Sequence, residues 1–310
     1  MILTVTLNPA VDKTYTTGML VLGQVNRMRT VHNIPGGKGI NVTKILRQYG
    51  YGVMTCGFLG GYTGEFIESC MKEIHAHCRF TRVAGETRTS INVIAEDGYV
   101  TEILEPGPVI SGQELEQFVR DYKGAAEDCD LVILSGSVAR GIPADIYGEL
   151  IRIAKKAGKR CILDTSGEAL VHGVEAAPFM IKPNQKELEY LTGHRLKDIG
   201  EIAEAGRGLI QKGIGQVVVS MGKKGLLTIT EKEVMWARVP AIKTVNTVGC
   251  GDGVVASYAM SLLKEEDKVT ALKRAAAISA ANAATLESGD IALELAEELL
   301  GRIQVEKKEK

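Results

Sequence analysis

Short runs of unbroken apolar character, each ending in Gly, Ser or Asn, recur along this 310-residue chain, interleaved with segments of helical period. ILTVTL (Ile2–Leu7) opens the chain, and VMTCGFLG follows the helical NVTKILRQYG. DLVILSG (Asp130–Gly136) precedes DIYGELIRIAKKAG, while RCILDTSG (Arg160–Gly167), FMIKPN (Phe179–Asn184) and QVVVSMG (Gln216–Gly222) each meet a helical segment. A strand that is apolar at every position is covered on both faces, which is the condition of a parallel sheet. The alternation predicts an α/β fold: a doubly wound, mostly parallel sheet flanked by helices. The C-terminal third reads as mostly helical, with QVEKKEK as a frayed tail.

Two regions break that rhythm. DKTYTT and NRMRTV, then SINVIA and YVTEIL, alternate polar and apolar residues, the period of antiparallel strands with one wet face. They predict a small β-sheet lid, with strands at about residues 11–32 and 88–106, inserted into one domain that spans 1–310. An exposed lid edge could pair with a second copy, so a homodimer through the lid is an expectation.

Composition removes several classes of function. The formal net charge is -1, so no broad basic field invites nucleic acid or an anionic membrane, and an anionic ligand has to be gripped locally. No run of about 18 apolar residues predicts a membrane span. MILTVTLNPAVD lacks the pattern of a secretion signal. The 6 cysteines are scattered without a CxxC pair, which suits a reducing compartment, so a cytoplasmic protein is expected.

The familiar phosphate loops are absent. PGGKGIN has the Gly-Lys of a P-loop, but Gly39 follows the lysine and His32 stands where the first glycine belongs. GCGDG lacks the third spacing of the dinucleotide fingerprint. Another device is available in VNTVGCGDGVVASYAMSLL (Val245–Leu263), where small residues and Asp252 stand at the mouth of an apolar helix. A helix N-terminus offers unpaired N–H groups and partial positive charge, and small residues let an anion approach them. A carboxylate in that turn could take a proton from a hydroxyl attacking phosphorus; equally, Asp252 could be an ordinary helix-start acid.

Five further stretches pair a chemical reading with a plain one. PGGKGINVTKIL exposes backbone, supplies Lys38 and opens a helix near Asn41, or is a flexible turn with an Asn cap. KPNQKELEYLTG sets Asn184 and Glu187 three apart at a strand-to-helix junction, which is also a variant capping box. GETRTSIN carries Arg88 into the lid, as a phosphate clamp or as a solvated surface arginine. LSGSVARG and SMGKKGLL place small residues just past strand ends, where open α/β sheets bind ligands. HAHC (His75–Cys78) has no distant partner set and is a poor metal site.

In combination these stretches are far more specific. Gly-Gly-Lys-Gly-x-Asn near residue 40, Asn-x-x-Glu near 185 and Gly-x-Gly-Asp near 250, with TLNPAVDKTY, EPGP and DTSGEAL, resemble the ribokinase-like PfkB sugar kinases over essentially the whole chain. The similarity is greatest to the 1-phosphofructokinase and tagatose-6-phosphate kinase branch. That resemblance implies ATP-dependent, Mg²⁺-requiring phosphorylation of a ketohexose phosphate: fructose 1-phosphate to fructose 1,6-bisphosphate, or alternatively tagatose 6-phosphate to tagatose 1,6-bisphosphate. A non-catalytic phosphosugar sensor on the same fold is a further alternative. The resemblance implies Asp252 as base, with the amides of Gly249, Cys250 and Gly251 as anion hole. Asp12, Gly37, Lys38 and Asn41 would hold the sugar, and Arg88, helped by Lys38 and Ser137, its phosphate. Asn184 and Glu187 would organise MgATP, Glu187 through water, and Ser220, Gly222, Gly225, Val248, Gly253 and Asn282 would serve the nucleotide. Cys250 stands where many members have Ala, and Asn246 where many have Asp.

Overall fold

The structure is a computed structural model and describes residues 1–308. Ten strands form the main sheet: β1 (Ile2–Thr6), β4 (Val53–Leu59), β5 (His77–Arg82), β8 (Leu131–Ser135), β9 (Arg160–Asp164), β10 (Met180–Ile181), β11 (Gln216–Ser220), β12 (Leu226–Ile229), β13 (Val234–Arg238) and β14 (Gln304–Lys308). The order across it is β14-β13-β12-β11-β10-β9-β8-β1-β4-β5. From β11 to β5 every pairing is parallel; β12, β13 and β14 add an antiparallel end. Four strands form a separate small sheet in the order β3-β2-β6-β7: β2 (Ala10–Thr17), β3 (Thr30–Gly36), β6 (Arg88–Ala95) and β7 (Val100–Leu104).

The helices are α1 (Lys38–Gln48), α2 (Gly61–Glu73), α3 (Gly112–Glu127), α4 (Ile146–Lys156), α5 (Gly167–Glu175), α6 (Gln185–Thr192), α7 (Ile199–Gln211), α8 (Cys250–Leu263), α9 (Lys268–Ala283) and α10 (Leu293–Arg302). Among the described residues no helix is long and apolar enough to cross a membrane.

Continuous apolarity along the central strands follows from their cover. In β8, Val132 and Leu134 enter the core layer shared with α3, α4 and α5, whereas Leu131 and Ile133 enter the layer shared with α8 and α9. Residues of β9 and β11 alternate between the same two layers. Helix α8 has no polar face because it has no wet face: Asp252 through Ser261 are all buried.

The structure departs from the sequence expectations in three places. Gln304–Lys308, expected to belong to a frayed tail, is an edge strand on β13, with Lys308 and Arg238 over the Trp236 ring at 4.9 and 4.2 Å, and the last two residues of QVEKKEK lie outside the described residues. The lid strand expected to end near residue 32 continues to Gly36, because β3 is an edge strand where the missing N–H of Pro35 costs no ladder bond. FMIKPN shrinks to a two-residue strand ahead of Pro183. HAHC enters β5, an edge strand of the main sheet, and among the described residues no group of three or more His, Cys, Asp or Glu is placed to hold a metal.

Candidate active site

The parallel strands of the main sheet all end on one side, and the chain turns there through small residues. Thr6 ends β1 and Asn8 follows it, Gly136 and Ser137 follow β8, Thr165 follows β9, Lys182 and Asn184 follow β10, and Ser220 ends β11. These ends, the N-termini of α1 and α8, and the inner side of the small sheet enclose a cleft of about 1080 Å³.

At its floor is the first turn of α8. Gly249 caps the helix in the left-handed conformation, φ 85°, where a side chain would be strained. Gly249, Cys250 and Gly251 all line the cleft, and the Cys250 N–H lies 3.4 Å from Thr247 O. Asp252 sits in the same turn, 4% exposed, and its Oδ2 accepts a hydrogen bond of 2.8 Å from Asn41 Nδ2 on α1. Burial pushes the Asp252 carboxyl up to about 7, with Asp164 adding to the rise and Lys38, Asn41 and Lys182 opposing it. A carboxylate poised there suits proton transfer near neutral pH.

A buried ion cluster lies beside it. Asp164, at the end of β9, is fully buried and pairs through Oδ1 with Lys38 Nζ at 3.1 Å and Lys182 Nζ at 3.3 Å. Burial alone would raise its pKa, but the two ammonium groups outweigh that and hold it below the usual carboxylate range. Burial would discharge Lys38, yet Asp164, Asp252 and Glu187 together raise its pKa, so it stays charged. Lys182 borders the anion turn: a Cβ on Gly251 would stand 3.1 Å from its Nζ. Asp164 Oδ2 is buried with no hydrogen-bond partner among the described residues.

The small sheet supplies the opposite wall. Asp12 on β2 is paired in register with Ser90 on β6, which in turn faces Leu104 on β7, and all three line the cleft. Gly36 lets the Asp12 carboxylate lie against the chain; a Cβ there would be 2.1 Å from Oδ2. Burial raises the Asp12 carboxyl, against the pull of Lys44 and Arg88. Arg88 donates only to carbonyls, those of Asn8 at 3.2 and 3.3 Å and of Glu105 at 3.4 Å. With no ion pair among the described residues, its charge is available to an anion.

Of the residues singled out from sequence, Asp12, Gly37, Lys38, Asn41, Arg88 and Ser137 line the cleft on the lid side. So do Asn184, Ser220, Gly222 and Gly225, and the turn Val248–Asp252. Three do not. Asn282 is fully buried with both ends engaged, Nδ2 on Val248 O at 2.8 Å and Oδ1 accepting from Gly289 N at 3.2 Å. It braces the turn ahead of α8 and does not line the cleft. Gly253 is turned into the core, where a Cβ would meet Ile278 at 3.2 Å. Glu187 does make the reciprocal capping box with Asn184, accepting from its N–H at 2.8 Å and donating its own to Oδ1 at 2.9 Å. It acts on the cleft as a charge near Lys38.

Asp164 and Lys182 were missed as site residues. Asp164 ends β9 in DTSG and Lys182 directly follows β10 in IKPN, so the signal was present. Their pairing was not, because they are joined only when β9 and β10 lie side by side. The apolar wall at the far end of the cleft, Val239–Ile242 with Ala276 and Ala280, was missed for the same reason.

Comparison with known proteins gives a consistent result. A model of the pfkB family carbohydrate kinases matches residues 5–294. The chain is 36% identical to the 1-phosphofructokinase of Bacillus subtilis (strain 168) over 305 residues, covering 98% of this chain and 99% of that one. Its structure is similar to that of a possible 1-phosphofructokinase of Thermotoga maritima, with TM-score 0.91, 28% identity and all of both chains covered. It is also similar to Escherichia coli phosphofructokinase-2 in complex with substrates and products, with TM-score 0.90, 26% identity, and 97% of this chain and 98% of that one covered.

Proposed function

The chain belongs to the pfkB family of carbohydrate kinases, and on that premise we propose that it transfers the γ-phosphoryl group of ATP to the free terminal hydroxyl of fructose 1-phosphate, giving fructose 1,6-bisphosphate and ADP. The observation that carries this reading is Asp252. A buried carboxylate with its pKa near 7 stands in the same helical turn as a glycine-lined set of backbone amides.

The geometry supports a division of labour. Asp252 takes the proton of the attacking hydroxyl as its oxygen bonds to phosphorus and the bond to the ADP oxygen breaks. The amides of Gly249, Cys250 and Gly251 receive the equatorial oxygens of the transferring group. Such donors act most strongly in a dry, prearranged site. Lys38 and Lys182, fixed by Asp164, add positive charge on either side. Phosphoryl transfer needs alignment and charge neutralisation more than covalent help.

Asp12, Gly37 and Asn41 hold the sugar, while Arg88, with Lys38 and Ser137, holds the phosphate already on it. Asn184, Ser220, Gly222 and Gly225 meet the nucleotide phosphates, and Val239–Ile242 with Ala276 and Ala280 cover the base. A Mg²⁺ carried on ATP needs only one or two protein carboxylates. The unpartnered Asp164 Oδ2 and the oxygen of Glu187 not engaged by Asn184 fit that need, directly or through water. The ion would neutralise charge on the phosphate oxygens. The small sheet acts as a lid that excludes water from the transfer. Its exposed Val31, Val100 and Ile103 are the surface a second copy would cover in a homodimer.

The test is ADP release with MgATP against fructose 1-phosphate, tagatose 6-phosphate, fructose 6-phosphate and free fructose, with Asp252→Asn alongside. Turnover should favour fructose 1-phosphate and fall on the order of 10²–10⁴-fold in the variant. A preference for tagatose 6-phosphate would keep the mechanism and change the substrate. Tight binding without turnover would replace it with a sensor.

A further inference from the structure

Asn41 holds Asp252 through its NH₂ end, and a carboxamide has two ends of nearly equal size. If the group turned over, a carbonyl oxygen would face the carboxylate and repel it. Something has to select the orientation. On the far side of Asn41, Ser288 Oγ lies 3.4 Å from its Oδ1. Ser288 is 4% exposed and sits in the connection between α9 and α10, outside every sequence motif discussed above but packed against them, with a Cβ on Gly249 standing 3.3 Å from its own.

We propose that Ser288 is a positioning residue for phosphoryl transfer: its hydroxyl fixes which end of the Asn41 carboxamide faces Asp252. The proposal rests on the kinase reading above. The same hydroxyl lies 3.4 Å from Asp12 Oδ2, so Asp12, Ser288, Asn41 and Asp252 form one polar chain from the sugar wall to the base. A hydroxyl with a single proton serves one of its two acceptors at a time.

The connection is held in place to an unusual degree by side chains. Lys44 Nζ on α1 donates to Ser288 O at 2.6 Å, and Gln48 Nε2 donates to Gly289 O at 2.8 Å. Gln48 Oε1 accepts from Ile291 N at 3.0 Å, and Asn282 Oδ1 accepts from Gly289 N at 3.2 Å. Gly289, at φ 71°, permits the approach: a Cβ there would stand 2.9 Å from Asn41 Cα. Helix α1 therefore carries Asn41 and, one and two turns later, the two side chains that press Ser288 against it. Lys44 is half-buried among Glu287, Asp12 and Asp290, and desolvation lowers its pKa despite their pull.

The charged groups that face the two ends of the chain are Lys44 and Arg88 for Asp12, and Lys38, Asp164 and Lys182 for Asp252. None of these replaces the Ser288 hydroxyl at Asn41 Oδ1.

The experiment is a double-mutant cycle on the full chain, Ser288→Ala with Asn41→Ala, read by steady-state kinetics across pH. Ser288→Ala should lower kcat roughly 3- to 10-fold, the scale of one hydrogen bond, with the KM for ATP within about twofold. The acid limb of kcat/KM should move to higher pH, and the loss in kcat should vanish in the Asn41→Ala background. Unchanged kcat and limb in an active enzyme, or equal losses in both backgrounds, would overturn the proposal. Should Ser288→Ala fail to fold, Ser288→Cys, similar in shape and a weaker donor, should show the same direction. A wild type without turnover on any sugar phosphate would refute the kinase reading instead. The Ser288–Asn41 link would then be read from the Asn41 side-chain NH₂ resonances, which should shift in Ser288→Ala and stay put if the link is absent.

Discussion

Asn41 Nδ2 donates to Asp252 Oδ2 across 2.8 Å, joining the first turn of α1 to the first turn of α8 over 211 residues of sequence. One helix start faces the small sheet and the other carries the Gly249–Asp252 turn, so in the proposed function this bond would align the sugar with the base.

Its chemical consequence is a pH dependence. The bond holds the Asp252 carboxyl lower than burial alone would, and the net value is about 7. The base has to be ionised, so kcat/KM should rise with pH through about 7. Asn41→Ala removes a donor to the ionised form and should move that limb upward. A rate profile between pH 5 and 9 checks both statements; an unmoved limb would show that Asn41 does not govern the base.

The same residue carries a stability cost with a defined sign. The folded-state pKa of Asp252 is raised above its unfolded value. Its contribution is therefore fully present below the unfolded carboxylate pKa near 4 and is lost as pH rises through about 7. Asp252→Asn should gain on the wild type in urea melts at pH 8 and much less at pH 5, while losing activity at both.

Asp164 should behave in the opposite way. Lys38 and Lys182 depress its folded pKa, so its contribution is present above the unfolded pKa and lost as pH falls through the folded one. Asp164→Ala leaves Lys182, 5% exposed, without its partner. The expected loss is about 3–5 kcal/mol at pH 7 by urea unfolding. A loss below about 1 kcal/mol would mean that the cluster is solvated.

Arg88 separates substrate recognition from nucleotide binding. Its guanidinium is tied only to carbonyls. Arg88→Ala should raise the KM for the phosphosugar about 10- to 100-fold, the scale of charge-assisted hydrogen bonds, and leave the KM for ATP within about twofold. An equal rise in both would move Arg88 out of the phosphate site.

Cys250 lies in the anion turn, yet it should be a poor target for alkylation. Burial pushes its thiol up to about 11, so little thiolate exists at pH 7.5. Mass spectrometry after iodoacetamide should find it modified more slowly than an exposed thiol, and Cys250→Ala should retain most activity. Rapid, nucleotide-protected labelling would contradict this.

The parallel sheet was legible because period and burial are local signals. A strand sandwiched between two helix layers is apolar at every position, and β8 and β11 announce this in DLVILSG and QVVVSMG. The start of α8 was legible too, because the small residues ahead of the apolar run mark where the helix begins. Less was visible where the signal depends on what lies alongside. The strand Gln304–Lys308 is charged and looks like a tail, and only its place on β13 beside Trp236 makes it part of the sheet. Asn282 carries the same side chain whether it meets a nucleotide or braces a turn, and its neighbours Val248 and Gly289 decide.

Sequence alone thus determined the elements, their order and the chemical groups available at each strand end, since these follow from backbone sterics and the period of burial. Tertiary structure decided the rest. Asp164 meets Lys38 and Lys182, and Ser288 meets Asn41, only after strands and helices distant in the chain pack together. Burial then sets the electrostatics, because desolvation raises Asp252 to about 7 while two neighbouring ammonium groups hold Asp164 low.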